Sequence, residues 1–185
     1  DRFIEKTGAR LIVLDPVGAG ATPYRTRTVR ELLRAVPPSI VRGNASEIMA
    51  IDDDQAKTKG VDSAAAADTA LAGARRLSEQ LDCVVCVSGE TDYVIHKTDM
   101  AKIQNGHAMM PKITGLGCTA SALCGAFAAV NTDYFAATTA AMAVMGIAGE
   151  MAAARSKGPA SMQVEFLDAL FNLTGEEIEQ RLKIS

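Results

Sequence analysis

The sequence predicts an α/β fold, with helices layered on a largely parallel central sheet in one domain spanning residues 1–185. Three observations predict it. Short apolar runs alternate with longer stretches of helical periodicity, the interleaving expected of strands joined by crossover helices. The strand candidates are continuously apolar, as in a sheet covered on both faces. The polar, glycine-containing loops mostly follow strands, and right-handed crossovers gather such loops along one sheet edge, where ligands usually bind. Hydrophobic residues make up 48% and charged residues 22%, a balance that excludes a disordered chain.

The opening residues Asp1 to Gly8 read as the last turns of a helix ending on a C-cap glycine. No N-cap precedes them and no initiator Met begins the chain, so a truncated N-terminus is expected. Arg10 to Leu14 is the first strand, ending at Asp15-Pro16 and the loop Val17-Gly-Ala-Gly-Ala21. Thr28 to Val36 reads as a helix stopped by Pro37-Pro38. Ile40 to Arg42 is a short strand, and Ala45 to Ile51 a short helix with Asn44 as its N-cap. Asp62 or Ser63 opens a long helix whose Leu71, Ala74, Leu77 and Leu81 recur at helical spacing. The buried strand run Cys83 to Gly89 follows, then Thr91 to Lys97 and Ala101 to Gln104 alternate as a hairpin turning around Thr98-Asp99, expected at a sheet edge. Cys118–Ala129, Phe135–Arg155 and Val164–Leu173 close the chain as helices, with a polar helical tail from Glu176.

Composition excludes several functions. Net charge is −3 with Lys and Arg scattered, and aromatics are 4% with no Trp, so neither a basic face nor a base-stacking platform is present for nucleic acid or an anionic membrane. The weakly charged stretches 115–132 and 134–149 reach toward membrane-span length, but their Ala, Gly and Thr content fits buried helices better. Cys83 and Cys86 sit three apart in a strand and point to opposite faces, which disfavours a shared metal. The four cysteines form no disulfide framework, and free thiols point to a reducing, cytoplasmic setting. The methionines Met109, Met110, Met142, Met145 and Met151 read as packing residues.

Three loops carry candidate chemistry. Asp15, directly after a strand, is placed either to hold Mg²⁺ or to cap a turn. Arg42-Gly-Asn-Ala-Ser-Glu47 joins a guanidinium suited to phosphate oxygens with a carboxylate suited to hydrated Mg²⁺. The same residues also spell a capping box, Asn44 with Glu47. Thr114-Gly-Leu-Gly-Cys118 opens a helix of small residues, where backbone N–H groups and the helix dipole attract an anion. That loop lacks the Lys of a Walker A motif. Ser88-Gly-Glu-Thr-Asp92 adds polar groups near the same edge, either functional or turn-forming. His96 and His107 have no visible triad partner, which leaves a Cys–His hydrolase a poor reading.

Six stretches together carry a resemblance: Leu14–Thr26, Val41–Ala50, Lys59–Ser63, Val87–Val94, Asn105–Cys118 and Ala154–Ser161. They resemble, in order and over nearly the whole chain, the hydroxyethylthiazole kinases of the ribokinase-like superfamily, with RGNASE and DPVGAGAT the most specific. The resemblance implies transfer of the ATP γ-phosphoryl group to the hydroxyl of hydroxyethylthiazole, with Mg²⁺, by a homotrimer whose sites lie between subunits. It places Arg42 and Ser88 at ATP-binding positions, with Asn44 and Gly117 beside them. Asp15 and Glu47 match the acidic residues around Mg²⁺ and phosphate, and Gly115 a thiazole-binding backbone position. Cys118 stands where many ribokinase-like enzymes carry a catalytic Asp, and Leu116 replaces a Thr usual in the family's glycine loop. The resemblance also implies an N-terminal segment ahead of these motifs, expected to be missing here. The rival readings are another ribokinase-like small-alcohol kinase and a nucleotide-binding pseudoenzyme fragment.

Overall fold

The computed structural model describes residues 11–52 and 63–185, with only the backbone described for 63–67. The expected helix end at Asp1–Gly8 and the Lys59–Asp62 part of the resemblance lie outside these residues. The chain runs β1 (Val13–Leu14), α1 (Pro23–Ala35), β2 (Ile40–Asn44), α2 (Ala45–Ile51) and α3 (Ser63–Leu81). It continues through β3 (Val84–Ser88), β4 (Asp92–His96), β5 (Asp99–Ile103), a short 3₁₀ turn at Met110–Lys112, α4 (Leu116–Val130), α5 (Tyr134–Arg155), α6 (Pro159–Asn172) and α7 (Gly175–Arg181).

The five strands lie in sequence order in one sheet. β1, β2 and β3 are parallel, and β4 is antiparallel to both β3 and β5. The C-terminal ends of β1, β2, β3 and β5 therefore share one edge. The register puts Asn44 opposite Ser88 there.

Alternation along the strands divides the apolar side chains between two layers. Ile40, Val84, Cys86, Val94 and Ile103 pack with α4, α5 and α6. Val41, Cys83, Val85, Val87 and Ile95 pack with α1, α2 and α3. Cys83 and Cys86 do fall on opposite faces. Burial pushes the Cys83 thiol up to about 12 and that of Cys124 to about 11, and lifts Cys86 well above its usual range. Helix α5 is long and apolar enough to cross a membrane by length and composition, and 67% of that apolar window is buried inside the fold. It is the central helix of its layer, packed against α4 and α6. Gly146 lets the Asn105 segment after β5 approach α5, since a Cβ there would lie 2.5 Å from the Asn105 carbonyl oxygen.

Several boundaries differ from the sequence reading, and α6 begins at Pro159, five residues before the expected Val164. Helix α1 begins at Pro23, five residues before the expected Thr28, because Thr22 Oγ1 accepts the Arg25 N–H and the proline occupies the first turn. That turn is largely exposed on every side, so it shows no periodicity. The hairpin edge is also not bare. The Lys102 N–H donates to Ser185 O at 2.8 Å, the Ser185 N–H returns to Lys102 O at 3.1 Å, and the Gln104 N–H donates to Lys183 O at 2.9 Å.

Candidate active site

The three loops meet at the shared edge of the sheet. Asp15 and Val17 from the first, Arg42, Asn44 and Glu47 from the second, and Gly115, Gly117 and Cys118 from the third line one cavity of about 260 Å³. A larger cavity of about 870 Å³ adjoins it and shares Arg42, Asn44 and Gly117 as a common wall. Its polar side carries Ser88, Glu90, Asp92 and Asn105. Its apolar side carries Met110, Ile113, Leu116, Met142 and Met145, so three of the expected packing methionines also face a cavity.

Arg42 is the joint of the site. Its side chain is 12% exposed, and Nη2 donates to Ser88 Oγ at 2.7 Å while Nη1 donates to the Gly117 carbonyl at 3.1 Å. Nη1 also lies 3.5 Å from Asp15 Oδ2. Its Nε is buried and meets no acceptor. A planar guanidinium fixed this way is aimed before any ligand arrives. Gly117 is small for a reason: a Cβ there would sit 3.1 Å from Arg42 Nη1.

The capping box read from the sequence is present. Asn44 Oδ1 accepts the Glu47 N–H at 2.9 Å, and Glu47 Oε2 accepts the Asn44 N–H at 2.9 Å. Glu47 does more, because its Oε1 accepts the Gly18 N–H at 2.9 Å and ties the first loop to the second. Helix α4 starts differently. Gly115 holds φ +93°, the left-handed region that favours glycine, and offers no side chain to cap the first N–H groups. A Cβ at Gly115 would meet nothing within 4 Å, so conformation rather than space calls for glycine. Cys118, exposed in that first turn, opens onto the small cavity with Asp15 and Glu47.

The structure thus brings together Asp15, Arg42, Asn44, Glu47, Gly115, Gly117 and Cys118, with Ser88 on the other side of Arg42. His96 and His107 stay out of the small cavity. Among the described residues no cluster of three or more His, Cys, Asp or Glu is arranged to hold a metal by itself. Mg²⁺ does not require one, since it is usually held by one or two carboxylates together with substrate phosphates and water. Asp15 and Glu47 on one cavity fit that donor set.

Ser121 and Asn105 were not singled out from sequence, and Asp92 was read only within a polar loop, either functional or turn-forming. Ser121, one turn beyond Cys118, donates to Asp15 Oδ2 at 2.6 Å. Asp92 is buried, accepts the Gly89 N–H at 2.9 Å, and has its pKa raised to about 6, chiefly by burial and against the pull of that hydrogen bond and of Arg42. Asn105, also buried, places its carboxamide between Glu150, the Arg181 carbonyl and the Lys183 N–H. Only Ser121 left a usable signal, a hydroxyl three residues after Cys118 on the same helix.

A model of the hydroxyethylthiazole kinase family matches residues 4–176. A hydroxyethylthiazole kinase of Syntrophus aciditrophicus is 56% identical over 174 residues, which covers 94% of this chain and 64% of that protein. One from Leptospira biflexa is 55% identical over 171 residues, covering 92% of this chain and 64% of its own length. The chain thus spans just under two thirds of the length of these curated relatives. The solved hydroxyethylthiazole kinase structure from Pyrococcus horikoshii superposes with a TM-score of 0.86 at 33% identity, over 98% of this chain and 67% of that one. Pyridoxal kinase of Staphylococcus aureus in complex with AMP-PCP shares the ribokinase-like fold alone, at 18% identity and a TM-score of 0.62 over 81% of this chain.

Proposed function

The chain belongs to the hydroxyethylthiazole kinase family, and from that premise we propose that it transfers the γ-phosphoryl group of ATP to the hydroxyl of hydroxyethylthiazole. The observation that carries the reading is the meeting of Asp15, Arg42, Glu47, Gly117 and Cys118 around one cavity at the uncapped start of α4.

Phosphoryl transfer asks a protein mainly for positioning and charge neutralisation. In this reading Arg42 contacts phosphate oxygens, using a guanidinium already held by Ser88 and the Gly117 carbonyl. Asp15 and Glu47 would hold Mg²⁺, which would supply neutralisation of the phosphate charge. The N–H groups from Gly115 to Cys118 receive the transferring group, assisted by the helix dipole. Cys118 Sγ orients the acceptor hydroxyl and, acting as a thiolate, takes its proton to become the thiol as the oxygen attacks phosphorus and ADP leaves. The larger cavity, half apolar and half polar, suits the nucleoside part of ATP. Leu116 replaces a hydroxyl with an apolar side chain on that wall, and Leu116→Thr is expected to improve kcat/KM.

We also read the active assembly as a homotrimer and its setting as cytoplasmic. The first rests on the family resemblance and the second on four unpaired thiols. A coupled assay for ADP release tests the activity, with hydroxyethylthiazole, hydroxymethylpyrimidine, pyridoxal and simple sugars offered in turn. Release confined to the thiazole alcohol is the expected result. Equal turnover of the other alcohols, or no release with any, would overturn it.

A further inference from the structure

Ser121 lies inside α4, where a serine hydroxyl ordinarily bonds back to the carbonyl four residues earlier. That carbonyl, Gly117 O, is 3.3 Å away, but Asp15 Oδ2 is closer at 2.6 Å and is charged. Arg42 Nη1 addresses the same two acceptors, at 3.1 Å to Gly117 O and 3.5 Å to Asp15 Oδ2. Two donors and two acceptors therefore close a ring that joins the end of β1, the end of β2 and the first turn of α4. Those three segments supply most of the small cavity's lining, and Glu47 from α2 adds to it.

The ring matters because Arg42 cannot serve two anions equally. A phosphate arriving at the cavity competes with Asp15 for the guanidinium. While Arg42, still held by Ser88 and the Gly117 carbonyl, shares its charge with that phosphate, the short bond from Ser121 keeps the Asp15 carboxylate in place. We propose that Ser121 is a positioning residue for phosphoryl transfer, keeping Asp15 and the Gly117 turn in register while Arg42 engages phosphate. The proposal rests on the kinase reading above and extends it to a residue outside its motifs.

The test compares wild type, Ser121→Ala and Ser121→Thr by steady-state kinetics with ATP, Mg²⁺ and hydroxyethylthiazole, using the full chain. A hydrogen bond to a charged group is worth enough that Ser121→Ala should lower kcat about ten- to hundredfold. Both KM values should stay within about twofold, the split expected when alignment rather than binding is lost. Ser121→Thr, which keeps the hydroxyl, should restore most of kcat. A kcat for Ser121→Ala within about twofold of wild type overturns the proposal. So does a Thr variant that unfolds normally yet fails to recover. A second readout needs no turnover: a urea-unfolding cycle of Ser121→Ala with Asp15→Asn, in which the double variant loses less than the sum of the singles. A wild-type chain without thiazole kinase activity sinks the kinase reading instead, and the unfolding cycle then judges the contact alone. Additive midpoints would reject it.

Discussion

Helices α2 and α4 both begin at the same sheet edge, and they begin in opposite ways. The start of α2 is closed by its own sequence: Asn44 and Glu47 exchange side-chain and backbone hydrogen bonds, and Glu47 extends the closure to Gly18. The start of α4 is left open, with Gly115 in a left-handed conformation and no side chain on its first N–H groups. A helix start that satisfies itself builds a wall, whereas one that does not is completed by what binds there. The site needs both, because the closed start fixes the carboxylates that face the open one.

The predictions test that division. The largest effect is expected at the open end. Cys118→Ala should lower kcat by about 10²–10⁴-fold, the usual contribution of a positioned proton acceptor, while Cys118→Asp keeps or exceeds wild-type kcat. An unchanged kcat in the alanine variant removes Cys118 from the mechanism. In the folded protein Cys118 should also be the thiol that alkylates first, since Cys83, Cys86 and Cys124 are buried. Glu47→Gln comes next. Its single amide oxygen can still accept the Asn44 N–H, but its NH₂ would face the Gly18 N–H, so activity should fall by about ten- to hundredfold with a Tm loss smaller than that of Asn44→Ala. A stability loss as large as that of a broken cap would show Glu47 to be structural only. Asn44→Ala breaks the box itself, which costs about 1 kcal/mol and should lower Tm by about 2–4 °C.

A pH-dependent effect belongs to Asp92, which closes the turn at Gly89 much as Glu47 closes a helix. Its pKa is raised to about 6, so between the ordinary carboxylate range and that value the folded protein holds a proton that the unfolded chain has released. Its contribution to stability is therefore present at low pH and lost as pH rises through that window. Measured as a difference, the Tm of Asp92→Asn should gain on wild type between about pH 4 and about pH 7. A constant difference would mean that Asp92 titrates at its ordinary value.

What could be read from the sequence was what is local. Asn44 as N-cap and the bounds of α2 follow from four neighbouring residues, and the opposed cysteines follow from strand geometry. The convergence of the three loops required only right-handed crossovers and polar residues after strands. The first turn of α1 was missed because exposed residues carry no apolar period, although Thr22 and Pro23 spelled its start. Ser121 and Asn105 could not be placed at all. The partner of Ser121 is 106 positions away, and those of Asn105 lie 45 to 78 away. Nothing in either residue's neighbourhood names such a partner.

Residues 183–185 have a meaning beyond their pairing with β5. Sheet edges are where chains stick to one another, and a strand with free N–H and C=O groups is a template for a second copy. By lying along β5, the last residues occupy that template. Asn105 anchors them through the Arg181 carbonyl and the Lys183 N–H while also lining the larger cavity. The segment that covers the end of the β5 edge is thus fastened to a wall of the larger cavity, so loosening it would affect solubility and ligand affinity together.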